Sequence, residues 1–225
     1  NLDPNVIVLG EDIGDEEEGG VVGCTKGLST RFGKSRVRTT PISEQAILGA
    51  AMGAAMTGLR PIAEIMFSDF MAVCFDYVAN EFPKTRYMTN GQLSVPLVVR
   101  TGNGGGVRFG VQHSQSIENW SMMIPGLKVV APAFPGDVKG MLAAAIRDDD
   151  PVLFFEQKSL YATKGEVPDG EHVIELGKAN VLREGGDVTI VALALMVPRA
   201  LKAADILKEQ HGINATVIDL RSLVP

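Results

Sequence analysis

A glutamate stands at the head of the longest uncharged stretch of the chain. The segment Thr39-Thr40-Pro41-Ile42-Ser43-Glu44-Gln45 puts that carboxylate in the first turn of a helix, and residues 46–59 after it carry no charge. A carboxyl group in such a setting can hold or pass a proton, which is the work of a general acid or base. The plainer reading is an acid complementing the helix dipole, worth a few tenths to about 1 kcal/mol, with Ser43 as the N-cap. Both readings stand on these residues alone. His113 lies in a polar loop, Gly110-Val111-Gln112-His113-Ser114-Gln115-Ser116, with no apolar face to enter. There it can donate a proton or meet an anion near neutral pH, or simply be exposed. His172 and His211 are expected on the surface, and no HxxxH or HExxH spacing supports zinc.

Two glycine-rich stretches fail as phosphate loops. Gly102-Asn103-Gly104-Gly105-Gly106 fits GxGxxG in no register, and Gly33-Lys34-Ser35 meets Leu28 where a P-loop needs glycine. The first still follows a strand, so it sits where α/β sheets bind ligands, as a ligand-facing backbone or as a tight turn. Asp148-Asp149-Asp150-Pro151 reads as a solvated turn or as oxygen ligands for a hard cation. The apolar residues of Met66-Phe67-Ser68-Asp69-Phe70-Met71 read first as core.

The elements that must hold these residues follow from the apolar runs. Short runs at 6–9, 61–66, 95–100, 127–131 and 152–156 predict strands buried on both faces. Helical patterns at 43–57, 70–82 and 136–147 lie between them, the last behind Pro135. That alternation predicts a parallel sheet flanked by helices. A turn-rich stretch then leads to a second unit, with strands at 178–183, 188–193 and 215–220 and a helix over 198–210 ended by Gly212. We expect a first domain at 1–160, a linker at 161–176 and an incomplete second domain at 177–225, which has too few elements to close a core.

The 225 residues carry 21 Lys+Arg against 27 Asp+Glu, a net charge of −6, which disfavours nucleic acid as a main partner. The uncharged 46–59 stretch is 14 residues long, short of the roughly 20 a membrane helix needs. Cys24 and Cys74 form no CxxC, so neither a disulfide framework nor a zinc knuckle is expected.

Taken in order, several strings resemble one family. They are Gly10-Glu11-Asp12, Thr40-Pro41-Ile42-Ser43-Glu44, the run from Gly53 through Pro61 with Glu64 and Phe70, Gln112-His113-Ser114-Gln115, Pro125 to Val130, Ala145 to Asp148 with Pro151, and Val217 to Arg221. Together, across essentially the whole chain, they resemble the beta subunit of the thiamine-diphosphate-dependent E1 component of 2-oxo acid dehydrogenase complexes. The resemblance implies a pyrimidine-binding α/β domain followed by the start of a transketolase C-terminal-type domain. It implies that Glu44 hydrogen-bonds ring nitrogen N1' of the cofactor, that Phe70 packs on the aminopyrimidine ring, and that His113 faces substrate and the lipoyl group. Leu97, Ala145, Ile146, Asp148 and Asp150 match positions that ring a potassium ion in some members, with Asp150 standing in place of an amide.

The Gly-Asp-Gly…Asn motif for diphosphate and magnesium is absent. The resemblance therefore assigns Mg2+ to an alpha subunit, in an alpha2beta2 heterotetramer that serves an E2 lipoyl acyltransferase. It implies decarboxylation of a small 2-oxo acid, with no nucleic acid and no membrane involved. The implied location is the cytoplasm, or the mitochondrial matrix in a eukaryote. An acetoin-cleaving or transketolase-like enzyme, and a non-catalytic scaffold subunit, are the competing readings.

Overall fold

The computed structural model describes residues 3–225; Asn1 and Leu2, at the head of the expected first domain, lie outside the described residues. β1 (Val6–Glu11) leads to α1 (Leu28–Phe32), β2 (Val37–Thr40), α2 (Glu44–Met56) and β3 (Arg60–Phe67). After a 3-10 turn at Ser68–Phe70 come α3 (Met71–Asp76), a π-helical segment at Tyr77–Glu81 and α4 (Phe82–Met88). β4 (Val98–Asn103), α5 (Glu118–Met122), β5 (Lys128–Val130), α6 (Pro135–Arg147) and β6 (Val152–Gln157) complete the first unit. A long irregular stretch then reaches β7 (Asn180–Arg183), β8 (Val188–Ala192), α7 (Met196–His211), β9 (Ala215–Asp219) and β10 (Ser222–Val224).

Among the described residues the strands form two sheets. The larger runs β10-β5-β6-β4-β3-β1-β2 and is parallel except for β10. The smaller runs β7-β9-β8, with β8 parallel and β7 antiparallel to β9. The central strands are apolar on both faces because both faces are covered. On one side Ile7, Leu9, Ala63, Ile65, Val99 and Phe155 pack against Ile47, Leu48 and Ala51 of α2 and against Met71, Val78 and Phe82. On the other, Val8, Ile62, Val98 and Phe154 meet Met141 and Ala145 of α6. α7 packs Val197, Ala200 and Ala204 against Ala215 and Val217. No described helix is long and apolar enough to cross a membrane.

Several local expectations change. The helix expected over 70–82 is broken: Cys74 has φ −119° and ψ 18°, a π segment follows, and α4 restarts with Pro83 in its first turn. The strand expected over 95–100 runs later, because Pro96 has no N–H for the ladder and Gly102 pairs with Phe67 and Glu156. Ser43 occupies the N-cap position of α2 in an extended conformation, yet its side chain makes no capping bond; its carbonyl accepts from Ile47 N–H at 2.9 Å. His172 is half-buried beside Gly140, whereas His211 is exposed. β2 and β10 were not foreseen.

Arg221 fastens the second unit to the first. It donates to Asp137 Oδ1 at 3.0 Å, in the first turn of α6, and to the Lys178 carbonyl at 3.1 Å. Its backbone N–H donates to Asp219 Oδ1 at 3.1 Å, while Asp219 Oδ2 has no partner among the described residues. Burial pushes the Asp219 carboxyl up to about 6, against the lowering effect of the Arg221 N–H. A raised carboxyl stabilises the fold below its unfolded pKa and loses that contribution as pH rises through about 6. Asp219→Asn keeps an acceptor for Arg221 N–H. It is therefore expected to raise the free energy of unfolding at pH 8 by about 1 kcal/mol and to leave it unchanged near pH 4, as read from thermal melts followed by circular dichroism.

Candidate active site

The carboxyl ends of the parallel strands gather the charged and aromatic side chains. β1 ends at Glu11, and α2 begins at Glu44, which is 8% exposed. The two carboxyl groups are close enough that Glu44 helps raise Glu11, after the larger effect of burial; a backbone N–H at Ser43 opposes the rise. Glu11 Oε1 is buried and finds no partner among the described residues. Cys74, on α3, lies beside the same glutamate. Burial and then the Glu44 charge push its thiol up to about 12, and its Sγ donates to the Phe70 carbonyl at 3.8 Å.

The turn after β3 supplies an aromatic cluster. Phe70 meets His113 edge to face, with centroids 5.1 Å apart and planes at 83°. Phe67 meets His113 at 4.7 Å, Phe70 at 5.7 Å and Phe109 at 5.9 Å. His113 is thus half-buried against two rings, and the polar loop read from sequence does find an apolar face. Hydrogen bonds fix the loop. Gly104 N–H donates to the Gln115 carbonyl at 2.8 Å, and Gln115 N–H to Asp69 Oδ1 at 3.2 Å. Asn103, 2% exposed, accepts from Ser68 Oγ at 2.8 Å and Ile117 N–H at 3.4 Å, and donates to Glu118 Oε1 at 2.6 Å. Gly104 has φ +78°, and a Cβ there would run into the Gln157 side-chain amide, so any other residue is strained at this corner.

Behind the cluster, three adjacent strands share an ion triad. Arg100 donates through Nε and Nη2 to the Glu156 carboxylate at 2.6 and 2.8 Å, and through Nη1 to Glu64 at 3.0 Å. Burial works against the guanidinium, but Glu156 and Glu64 hold its pKa well above arginine's ordinary value. Glu64 is itself raised, chiefly by burial. Tyr161 OH donates to Glu156 Oε2 at 3.0 Å, and burial followed by the Glu156 charge pushes the phenol far up.

The residues read as a cation ring sit elsewhere, at the amino ends of β4 and β6 and the end of α6. Their main-chain oxygens already accept hydrogen bonds: Leu97 from Val152 N–H at 3.0 Å, Ala145 from Asp148 N–H at 3.3 Å, and Ile146 and Asp148 from Arg60 at 3.1 and 2.9 Å. The Asp148 carboxylate holds Lys128 at 2.6 Å, and Asp150 pairs with Arg86 at 2.9 Å. Glu44, Phe70 and His113 therefore share one edge of the sheet, and the aspartates the opposite one. Sequence reasoning missed Glu11, Phe67 and Asn103; of these only Glu11, closing an apolar strand with a charge, left a signal.

Two family models match the chain. Residues 1–164 match the transketolase pyrimidine-binding domain, and residues 177–225 the transketolase C-terminal domain. The chain is 53% identical to the acetoin:2,6-dichlorophenolindophenol oxidoreductase subunit beta of Bacillus subtilis, over 99% of this chain and 68% of that protein. Over the same shares it is 50% identical to the 2-oxoisovalerate dehydrogenase subunit beta and 45% to the pyruvate dehydrogenase E1 component subunit beta of that bacterium. A solved split-gene transketolase, described as an inactive beta4 tetramer, superposes with a TM-score of 0.77 at 28% identity, over 98% of this chain and 66% of its own. The chain spans about two thirds of the length of these relatives.

Removing the Asn103 side chain strands Ile117 N–H, takes a partner from Glu118 and leaves Ser68 Oγ only its long bond to the Gln115 carbonyl at 3.4 Å. Asn103→Ala is expected to cost about 1–3 kcal/mol in urea unfolding and to speed trypsin cleavage after Arg108, which lies in the loop it anchors.

Proposed function

The chain belongs to the family of thiamine-diphosphate-dependent 2-oxo acid dehydrogenase E1 beta subunits, built on the transketolase pyrimidine-binding and C-terminal domains, and on that premise we propose that, joined to an alpha-type subunit, it decarboxylates a 2-oxo acid and delivers the acyl group to the lipoyl arm of an E2 acyltransferase. The observation that carries this reading is the buried Glu44 at the head of α2, on the same sheet edge as the Phe67–Phe70–His113 cluster.

The residues fit the aminopyrimidine end of the cofactor. Glu11 keeps a buried oxygen without a partner, Glu44 offers a second buried carboxyl, and Phe70 presents an aromatic surface. Bound thiamine diphosphate supplies the electron sink on which a 2-oxo acid loses carbon dioxide. Glu44 would hold a proton on its carboxyl oxygen against a ring nitrogen, and Phe70 would pack against the ring and exclude water. Glu11, whose carboxyl is raised first by burial and then by the Glu44 charge, would offer a second acceptor or proton holder beside the ring. His113, wedged between two rings with its loop pinned, would face the substrate and the incoming lipoyl group.

The same proposal includes the 1–160, 161–176 and 177–225 division, an alpha2beta2 assembly, and a cytoplasmic or mitochondrial-matrix location. Mg2+ falls to the alpha subunit, since this chain lacks the diphosphate motif. Potassium would take the main-chain oxygens of Leu97, Ala145, Ile146, Asp148 and Asp150. For the first four, the support is that each accepts through one lone pair and keeps the other, close to the negative end of the α6 dipole.

Co-expression with an alpha-type subunit and a panel of pyruvate, branched-chain 2-oxo acids and acetoin, read with an artificial electron acceptor, tests the reading and names the substrate. Glu44→Gln is expected to lower kcat by about 100-fold or more while the complex still assembles; unchanged turnover in Glu44→Ala would leave only the scaffold role. Thermal melts of the complex are expected to be higher in KCl than in equal NaCl or choline chloride, with equal midpoints removing potassium from the proposal.

A further inference from the structure

Lys158 follows β6 at the carboxyl edge of the sheet and is only 4% exposed. Its ammonium forms no ion pair among the described residues. It has one long hydrogen bond, to the Gly102 carbonyl at 3.5 Å, and lies 5.2 Å from the centre of the Phe67 ring. Burying an ammonium with so little compensation is costly, and a methionine would fill the same volume without that cost. Burial pushes the lysine's pKa down, with the Asp69 charge opposing. A purely space-filling role leaves the charge unexplained.

The neighbours of Lys158 give the charge a task. Phe67, the ring it stacks on, is also the closest ring to His113, at 4.7 Å. The lysine stem meets Gly102, and the adjacent Ser159 Oγ donates to the Gly105 carbonyl at 2.8 Å. Two consecutive residues thus hold both ends of the short glycine turn, and that turn closes onto the His113 loop through Gly104 and Gln115. The geometry points to Lys158 as a positioning residue for His113: its ammonium, held on the Phe67 ring and the Gly102 carbonyl, sets the orientation of the ring against which His113 packs. This rests on the reading of His113 as the residue that faces substrate, but the contact itself can be tested without turnover.

The test uses the assembled complex, in which diethyl pyrocarbonate modification of His113 is followed by peptide mass spectrometry, with His211 as the exposed reference. Lys158→Met is expected to change the His113 rate, relative to His211, by about threefold or more, the span a cation–π contact of this kind covers. Lys158→Arg, which retains a cation for the ring, is expected to restore the parent rate. In a double-mutant cycle with Phe67→Leu, Lys158→Met should add little, because the lysine acts through that ring. Lys158→Gln carries the same expectation as Lys158→Met if the latter fails to assemble. An unchanged His113 rate in the uncharged variants, a Lys158→Arg rate equal to that of Lys158→Met, or additive effects with Phe67→Leu would each overturn the assignment. Loss of thiamine-dependent turnover as a reading of this protein would leave these rates intact, so the two ideas fail separately.

Discussion

Arg100 sits between Glu64 and Glu156, and through it three adjacent central strands are tied to one another. Parallel strands that are apolar on both faces slide past one another with little penalty, since many registers bury the same valines. A guanidinium that must meet one carboxylate with two bonds and a second with one removes that freedom. Such a triad adds little net stability, because desolvation offsets most of the attraction; its effect is to make the wrong register expensive. Everything placed on the strand ends inherits that precision: Phe67 at the end of β3, Asn103 at the end of β4, and Lys158 just past β6.

The two edges of the large sheet treat charge differently. At the carboxyl edge, Glu11 and Glu44 are buried without a cation between them, and Glu64 and Glu156 share one arginine. Burial pushes the Glu11 and Glu64 carboxyls up, and a neighbouring acid adds to each rise. At the amino edge, Asp148, Asp149 and Asp150 are matched by Lys128, Arg60 and Arg86, each partly open to water. One edge keeps its electrostatic tension and the other discharges it, and the length of the strands separates the two.

Much of this was readable beforehand. Glu44 announced itself by standing before the uncharged run that ends at Leu59, and the strands at 61–66 and 152–156 by apolar runs too short for helices. The break in the helix expected over 70–82 left no mark, because it falls at the non-helical Cys74 and not at a proline or glycine. β10 was invisible because a three-residue strand owes its existence to the partner edge of β5 and not to its own propensity. The aromatic face under His113 was hidden for a similar reason. Phe67 and Phe70 read as ordinary core, and only folding brings residue 113 back over them. Lys158 shows the limit most clearly, since a lysine one residue past a strand is normally solvated and nothing local says that this one is enclosed.

β10 returns from the second unit to cover the outer edge of β5, with Ser222 opposite Val130. The partner of that edge is thus supplied from about ninety residues further along the chain, a separation that slows pairing because the loop-closure entropy is lost before the contact is made. While the chain is being synthesised, β5 emerges with its hydrogen-bonding groups unpaired on that side until the whole α7–β9 segment has followed. The nascent first unit therefore passes through an interval in which its outermost strand can be captured by another molecule of the same kind.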